Sequence, residues 1–373
     1  MKNNRTFLEK LLDGAEVKWK PLINVASLTR GRVISKEYLT DHLGDYPVYS
    51  SQTVNNGEIG KINSFDFDGE FVSWTTDGAN AGTVFYRSGK FSITNVCGLI
   101  KIQNNLELNY KFLFYWLSIE AKNHVYSGMG NPKLMSHQME KILIPIPPLS
   151  VQTEIVKILD ALTALTSELT SELTLRRKQY EYYREKLLSE EELGKVGFEW
   201  KSLSEVANIA NNARKPVKSS LRISGSTPYY GANNIQDYVE GYTHDGEFVL
   251  IAEDGSASLE NYSIQWAVGK FWANNHVHVV NGKEELNNRF LYHYLANMNF
   301  VPFLAGKERA KLTKAKLQQI PIFIPPLEEQ HRIVSILDKF ETLTNSITEG
   351  LPLAIEQSQK RYEYYRELLL DFS

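Results

Sequence analysis

The longest regular pattern in the chain is helical. Beyond Pro147-Pro148, the residues Ile155, Leu159, Leu162, Leu165, Leu169, Leu173, Tyr180, Tyr183 and Leu187 recur at spacings of three, four or seven. That stripe is the seam of a helix built to meet another helix. The two prolines end what precedes it, because a residue before proline is pushed away from the helical region. About 40 residues at 1.5 Å each make a rod of ~60 Å. A second seam runs through Ile333, Leu337, Phe340, Leu343, Ile347, Tyr362, Tyr365 and Leu369. Two such seams in one chain pack most simply antiparallel, with the tyrosines in their core. Glu349-Gly350-Leu351-Pro352 should kink or interrupt the second rod.

The stretches ahead of the rods, 17–147 and 198–325, follow a different period. Short alternating runs such as Glu70-Phe71-Val72-Ser73-Trp74 are punctuated by Asn56-Gly57, Asp68-Gly69, Asp77-Gly78 and Ser88-Gly89. This is the pattern of strands joined by tight turns. Between Tyr110 and Lys122, Phe112, Leu113, Trp116 and Leu117 fall at helical spacing. Each stretch therefore reads as a mixed α+β globule.

The second half restates the first. Val17-Lys18-Trp19-Lys20-Pro21-Leu22 returns as Phe198-Glu199-Trp200-Lys201-Ser202-Leu203, and Asp68-Gly69-Glu70-Phe71-Val72 as Asp245-Gly246-Glu247-Phe248-Val249. Ile144 to Asp160 reads IPIPPLSVQTEIVKILD, and Ile322 to Asp338 reads IFIPPLEEQHRIVSILD. So many ordered matches indicate duplication. Glu9-Lys10-Leu11-Leu12 also resembles Glu185-Lys186-Leu187-Leu188. On that match the chain begins with the tail of a helix whose body lies at its other end, a circular arrangement with neighbouring termini. From Asp160 to Tyr180 is 20 residues, but from Asp338 to Tyr362 is 24. The first rod instead carries a tandem Thr166-Ser167-Glu168-Leu169, Thr170-Ser171-Glu172-Leu173. Adding or deleting one four-residue unit would shift one globule by ~6 Å, so the rod reads as a ruler.

Composition narrows the class chiefly by exclusion. The 373 residues suffice for two domains. The first residues have no signal-peptide pattern, and no apolar stretch approaches the ~20 residues of a membrane span. Cys97 is the only cysteine, so there is no disulfide framework and a reduced, cytoplasmic setting is expected. The net charge of −3 does not by itself announce a nucleic-acid partner. Phosphate-loop, dinucleotide and adenine-methyltransferase motifs are missing. Asp68 with Glu70, and Asp245 with Glu247, sit beside turn glycines and read as solvated turn residues. His276-Val277-His278 is the closest approach to a metal pair in the chain, and no ligand role is expected there. The chain is expected to bind rather than catalyse, to carry no cofactor and to hold no metal.

A duplicated globule followed by the Pro-Pro-Leu, Gln152/Gln330 and Ile-Leu-Asp matches resembles the specificity subunit of type I restriction–modification enzymes, over essentially the whole chain. The resemblance implies two pseudo-two-fold target recognition domains separated by a long antiparallel two-helix coiled coil. Recognition domain 1 would occupy 1–147, spacer helix 148–190, recognition domain 2 191–325 and spacer helix 326–373. Each recognition domain would read one half of an asymmetric bipartite site in double-stranded DNA. The helices would set the spacing and dock methyltransferase subunits, two in number, with restriction (motor–nuclease) subunits joining them. S-adenosylmethionine, ATP and magnesium would belong to those partners. The alternative is a repeat-built protein-interaction scaffold that never reads DNA.

Candidate DNA contacts fall in paired loops. One is Trp74-Thr75-Thr76-Asp77 with its counterpart Glu253-Asp254. Another is Asn131 and Lys133, matched by Arg309 and Lys311, with Gly128 and Gly306 ahead of them. Lys133 and Lys311 coincide in the repeat, which suits a shared phosphate contact. Lys307, Arg309 and Lys314 add positive charge in the second globule. Asn95, Asn274, Asn275 and His276 suit hydrogen bonding to base edges.

Overall fold

The computed structural model describes residues 6–128, 130–306 and 310–372. The chain divides into two compact units, one of Met1–Glu168 with Ile355–Ser373 and one of Leu169–Ala354. Both are built to the same plan.

Unit 1 contains strands β1 (Lys18–Pro21), β2 (Ala26–Arg30), β3 (Leu43–Tyr49), β4 (Glu58–Ile62), β5 (Phe67–Thr75), β6 (Val84–Ile93), β7 (Cys97–Ile102) and β8 (Leu143–Ile146). Unit 2 contains β9 (Glu199–Ser202), β10 (Ala207–Ile209), β11 (Ser224–Tyr230), β12 (Ile235–Val239), β13 (His244–Ala252), β14 (Ile264–Ala273), β15 (Val277–Gly282) and β16 (Pro321–Ile324). Six strands of unit 1 form a sheet in the order β2-β7-β5-β6-β3-β4, and unit 2 repeats it as β10-β15-β13-β14-β11-β12. All pairs are antiparallel except β3 with β6 and β11 with β14. β1 with β8, and β9 with β16, make separate two-stranded pairs.

Alternation along β5 distributes its side chains between two cores. Val72 and Trp74 join the cluster around the helix Tyr110–Glu120, while Phe71 packs with Phe91, Ile93, Cys97 and Leu99 on the other side. β13 does the same, with Val249 and Ile251 on one side and Leu250 beside Phe271 on the other. Each head helix starts at an asparagine cap. Asn109 Oδ1 accepts from the N–H groups of Lys111 (2.8 Å) and Phe112 (3.1 Å), and Asn287 accepts from Arg289 and Phe290 (both 2.9 Å).

The first rod is one helix, Leu149–Leu187. The second is two helices, Leu327–Asn345 and Leu351–Leu369, broken at the glycine and proline that the sequence singles out. Gly350 sits at φ +84, and a Cβ there would lie 2.5 Å from the Thr342 carbonyl oxygen, so the break requires glycine. Within unit 1 the two rods run antiparallel. Thr166 Oγ1 meets Ser358 Oγ at 2.8 Å, while Leu159 shares a core with Tyr362, Tyr365 and Leu369. Within unit 2, Tyr180 and Tyr183 stack on Phe340 at 6.3 and 5.6 Å. The seam tyrosines therefore belong to helix packing.

One sequence match needs correcting. Glu9–Leu12 is not the tail of the second rod, because it lies in a separate helix, Phe7–Leu12, with its own capping box from Thr6 and Glu9. Its counterpart is the short helix Glu190–Gly194, capped by Ser189. The true partners of Glu185–Leu188 are residues 367–370, where Leu369 and Leu370 are buried in the same core as Leu8. Circular order survives on different residues: the short helix follows the rod in unit 2 and stands at the head of the chain in unit 1.

Candidate nucleic-acid interface

The residues that stand out in the repeat signature fasten each head to its rod. Gln152 is fully buried on the first turn of the long helix. Its Oε1 accepts from Asn109 N at 2.9 Å, and its Nε2 donates to the carbonyls of Glu107 and Pro147, both at 2.9 Å. Gln330 repeats the set with Asn287 N (2.8 Å), Glu285 O and Pro325 O (both 2.9 Å). Two turns further, Asp160 accepts from Lys111 Nζ (2.5 Å) and Tyr115 Oη (2.7 Å). Its counterpart Asp338 accepts from Arg289 Nε and His293 Nε2, both at 2.7 Å. Burial alone would raise the Asp338 carboxyl, but these donors outweigh it and hold it below the ordinary carboxylate range.

That second cluster is also where a metal would be sought, since His293, Asp338 and Glu341 converge within 4.8 Å. The residues do not fit an ion. Arg289 bonds both carboxylates, so a guanidinium already supplies the positive charge.

At the loop edge of each head, one arginine gathers the turns. In head 1, Arg30 Nη2 donates to the Asn95 carbonyl (2.6 Å) and to Thr76 Oγ1 (3.1 Å). In head 2, Arg214 Nη1 donates to the carbonyls of Asn275 (3.3 Å) and Val277 (2.7 Å) and to Glu253 (2.7 Å). Lys133 exchanges backbone hydrogen bonds with Tyr126 and bridges Asp77, and Lys311 does the same with Ala305 and Asp254. The two lysines thus occupy the same place on the fold. Their side chains differ: Lys311 Nζ pairs with Glu253 at 2.9 Å, whereas Lys133 is exposed and has no carboxylate partner among the described residues.

Several expected contact residues are corrected by burial. Trp74, Thr75 and Thr76 are fully buried and cannot meet a ligand through their side chains. Trp74 Nε1 donates to the Leu134 carbonyl at 2.9 Å, and Thr75 bonds the Asn80 carbonyl. Asn274 is buried too, with Oδ1 accepting from His276 N at 2.8 Å. Glu253 holds cations in place. Burial would raise its carboxyl, but Arg214 and Lys311 pull it below the usual range. Asp77 is half-buried, and Asp254 is bonded by His276 Nδ1 at 2.5 Å. Asn95, Asn131, Lys133, Asn275 and Lys314 are exposed. Lys307 and Arg309 lie outside the described residues.

Trp74 has an instructive counterpart. It pairs across the ladder with Gly98, while Ile251 at the same register pairs with His278. The bulky, hydrogen-bonding member has changed strands. His278 Nε2 reaches the Leu312 carbonyl at 2.7 Å, the role Trp74 plays toward Leu134. Asn211 Nδ2 donates to His278 Nδ1 at 2.9 Å, and burial pushes this imidazole down, so it is neutral.

Sequence reading missed a basic segment in head 2. Arg214, Lys215, Lys218 and Arg222 occur within nine residues that contain no acid, a signal visible in the chain. The segment walls a recess of about 470 Å³ with Tyr229 and Trp272, continuous with one of about 410 Å³ that adds Gln236, Asn275 and His276. Arg222 lies 4.1 Å over the Tyr229 ring and faces Asp237, while Lys215 and Lys218 are exposed at the rim.

Two like heads, each joined to a rod by a buried glutamine and presenting unlike loops, define a bipartite binding protein. The family profile described as "Type I restriction modification DNA specificity domain" matches residues 15–175 and again 195–357. A putative type I specificity subunit of Mycoplasma pneumoniae is 31% identical over 367 residues, covering 96% of this chain and 98% of that one. The EcoR124I/EcoR124II specificity subunit of Escherichia coli is 33% identical over 407 residues, covering 98% and 97%. A putative type I restriction enzyme specificity subunit of Haemophilus influenzae is 73% identical over 193 residues, about half of each chain. The crystal structure of a type I system S subunit from M. genitalium shares the fold, with a TM-score of 0.64 at 18% identity over 99% of this chain and 96% of that one. The chain belongs to the type I restriction–modification specificity-subunit family, as a DNA specificity subunit.

Proposed function

We propose that each head reads one half of an asymmetric, bipartite DNA site, with heads at 1–147 and 191–325 and spacer helices at 148–190 and 326–373. The observation that carries this reading is the pairing of a common frame with unlike edges. The two sheets share one strand order and Arg30 and Arg214 gather equivalent turns, yet the exposed side chains at the edge are Asn95, Asn131 and Lys133 in one head and Asn275, Lys215 and Lys218 in the other. Like frames give a common approach to the duplex, and unlike edges give different half-sites. This favours DNA readout over a protein-interaction scaffold.

The chain itself is not catalytic in this reading. Two methyltransferase subunits dock on the helices and bring S-adenosylmethionine, and restriction subunits bring ATP and magnesium. The complex works in the cytoplasm. Among the described residues, no helix is long and apolar enough to cross a membrane. Exposed Asn95, Asn131, Lys133, Asn275 and Lys314 are the retained contacts, joined by Lys215 and Lys218.

Coexpression with the methyltransferase subunit, followed by sequencing of methylated DNA, is expected to reveal a split motif. Exchanging head 1 alone should change one half of it. Absence of any split motif would overturn the reading.

The lysines should behave unequally. Lys133→Ala is expected to weaken binding across all sequences and to lower the salt slope of log K by about one. Lys311→Ala should change that slope less, because Glu253 already neutralises the ammonium. Fluorescence anisotropy of the complex across a salt series measures both, and equal slopes in the two variants would contradict the assignment.

A further inference from the structure

We propose that the loop joining β3 to β4, residues 50–57, reads bases through the side-chain amides of Asn55 and Asn56, with Arg87 as the positioning residue that holds it. The proposal rests on the DNA-reading role above and assigns part of it to particular atoms.

Asn55, Asn56 and Gly57 lie consecutively in the left-handed region, at φ 50, 53 and 82. Two successive non-glycine residues there persist only where their surroundings impose it. Arg87 does so. The residue is 3% exposed, and its guanidinium lies 3.6 Å over the Tyr49 ring and donates to the Asn56 carbonyl (2.8 Å) and Ser73 Oγ (3.0 Å). Burial of this cation lowers its pKa to about 10, which leaves it charged at neutral pH.

The loop is also tied to the edge already described. Asn80 Nδ2 donates to the Ser51 carbonyl at 3.0 Å, and Thr94 Oγ1 bonds Ser50 Oγ at 2.9 Å, next to exposed Asn95. What this apparatus holds in place buries almost nothing. Val54 is 76% exposed, and both asparagines are exposed with neither amide engaged among the described residues. A side-chain amide offers a donor beside an acceptor, the complement of the adenine edge in the major groove.

The equivalent loop of head 2, residues 231–234, is four residues shorter and also carries two asparagines. There Asn233 is occupied, donating to Gly255 O and accepting from Ala257 N, both at 2.8 Å. The heads therefore differ in which amides face outward.

The test uses the complex with its methyltransferase subunit and the split motif as readout. Glycine adopts the left-handed backbone without strain, so Asn55→Gly with Asn56→Gly removes the amides and keeps the loop shape. Discrimination at one or more positions of the head 1 half should fall roughly ten- to a hundredfold. The head 2 half and the thermal midpoint should stay unchanged. Arg87→Lys should relax the same positions and add nothing further in the double-glycine background, since both act through one loop. A double-glycine complex with an unaltered motif overturns the proposal. A wild-type complex with no split motif instead overturns the DNA-reading role, and this proposal with it.

Discussion

Gln152→Ala should destabilise unit 1 by on the order of 3–5 kcal/mol, and Gln330→Ala should do the same to unit 2. The expectation follows from what each amide leaves behind. Removing Gln152 strands one N–H and two carbonyls that have been withdrawn from water, those of Asn109, Glu107 and Pro147. Each unpaired group costs ~1–3 kcal/mol, and a small cavity adds to it. Glutamate is no remedy, because it accepts but cannot donate to the two carbonyls. Hydrogen exchange followed by mass spectrometry resolves the units, and protection should fall only in the one carrying the substitution. Values within about 1 kcal/mol of the wild type for both variants would show that the glutamines are not the fastening points.

The second large effect concerns the exchanged pair in the sheets. Trp74→Ile alone leaves a void and an unpaired Leu134 carbonyl, for a loss of ~3–5 kcal/mol. Gly98→His alone should be worse, since a Cβ on Gly98 would lie 2.1 Å from the Trp74 ring. Together they install in head 1 the Ile251–His278 arrangement of head 2, and the imidazole can reach Leu134 as it reaches Leu312. The double variant should recover most of the stability, a coupling of several kcal/mol measured as a double-mutant cycle in urea. If the two losses simply add, the heads do not share this packing solution.

These effects separate what the sequence discloses from what it conceals. The rods were legible because a helical seam repeats along tens of residues, and the break at Gly350 because glycine and proline have fixed backbone demands. The membership of Gln152 and Asp160 in a signature was visible, but not their role, since their partners other than Pro147 lie 43–49 residues away. Trp74-Thr75-Thr76 leads straight into the turn pair Asp77-Gly78 in the sequence, whereas both faces of β5 are covered by layers that no local pattern records. The match of Glu9–Leu12 to Glu185–Leu188 misled for a similar reason: four residues of helix look alike wherever they stand. Asn56-Gly57 announced a turn, but its strain depends on Arg87, a residue 31 positions on.

Unit 2 is one uninterrupted stretch of chain, while unit 1 needs both ends of it. During synthesis, therefore, the later-numbered unit can finish first. The earlier one must wait, with Leu8 and its neighbours uncovered, until Leu369 and Leu370 have left the ribosome. A shortened product lacking only those last turns would carry a complete second head and an unfinished first one.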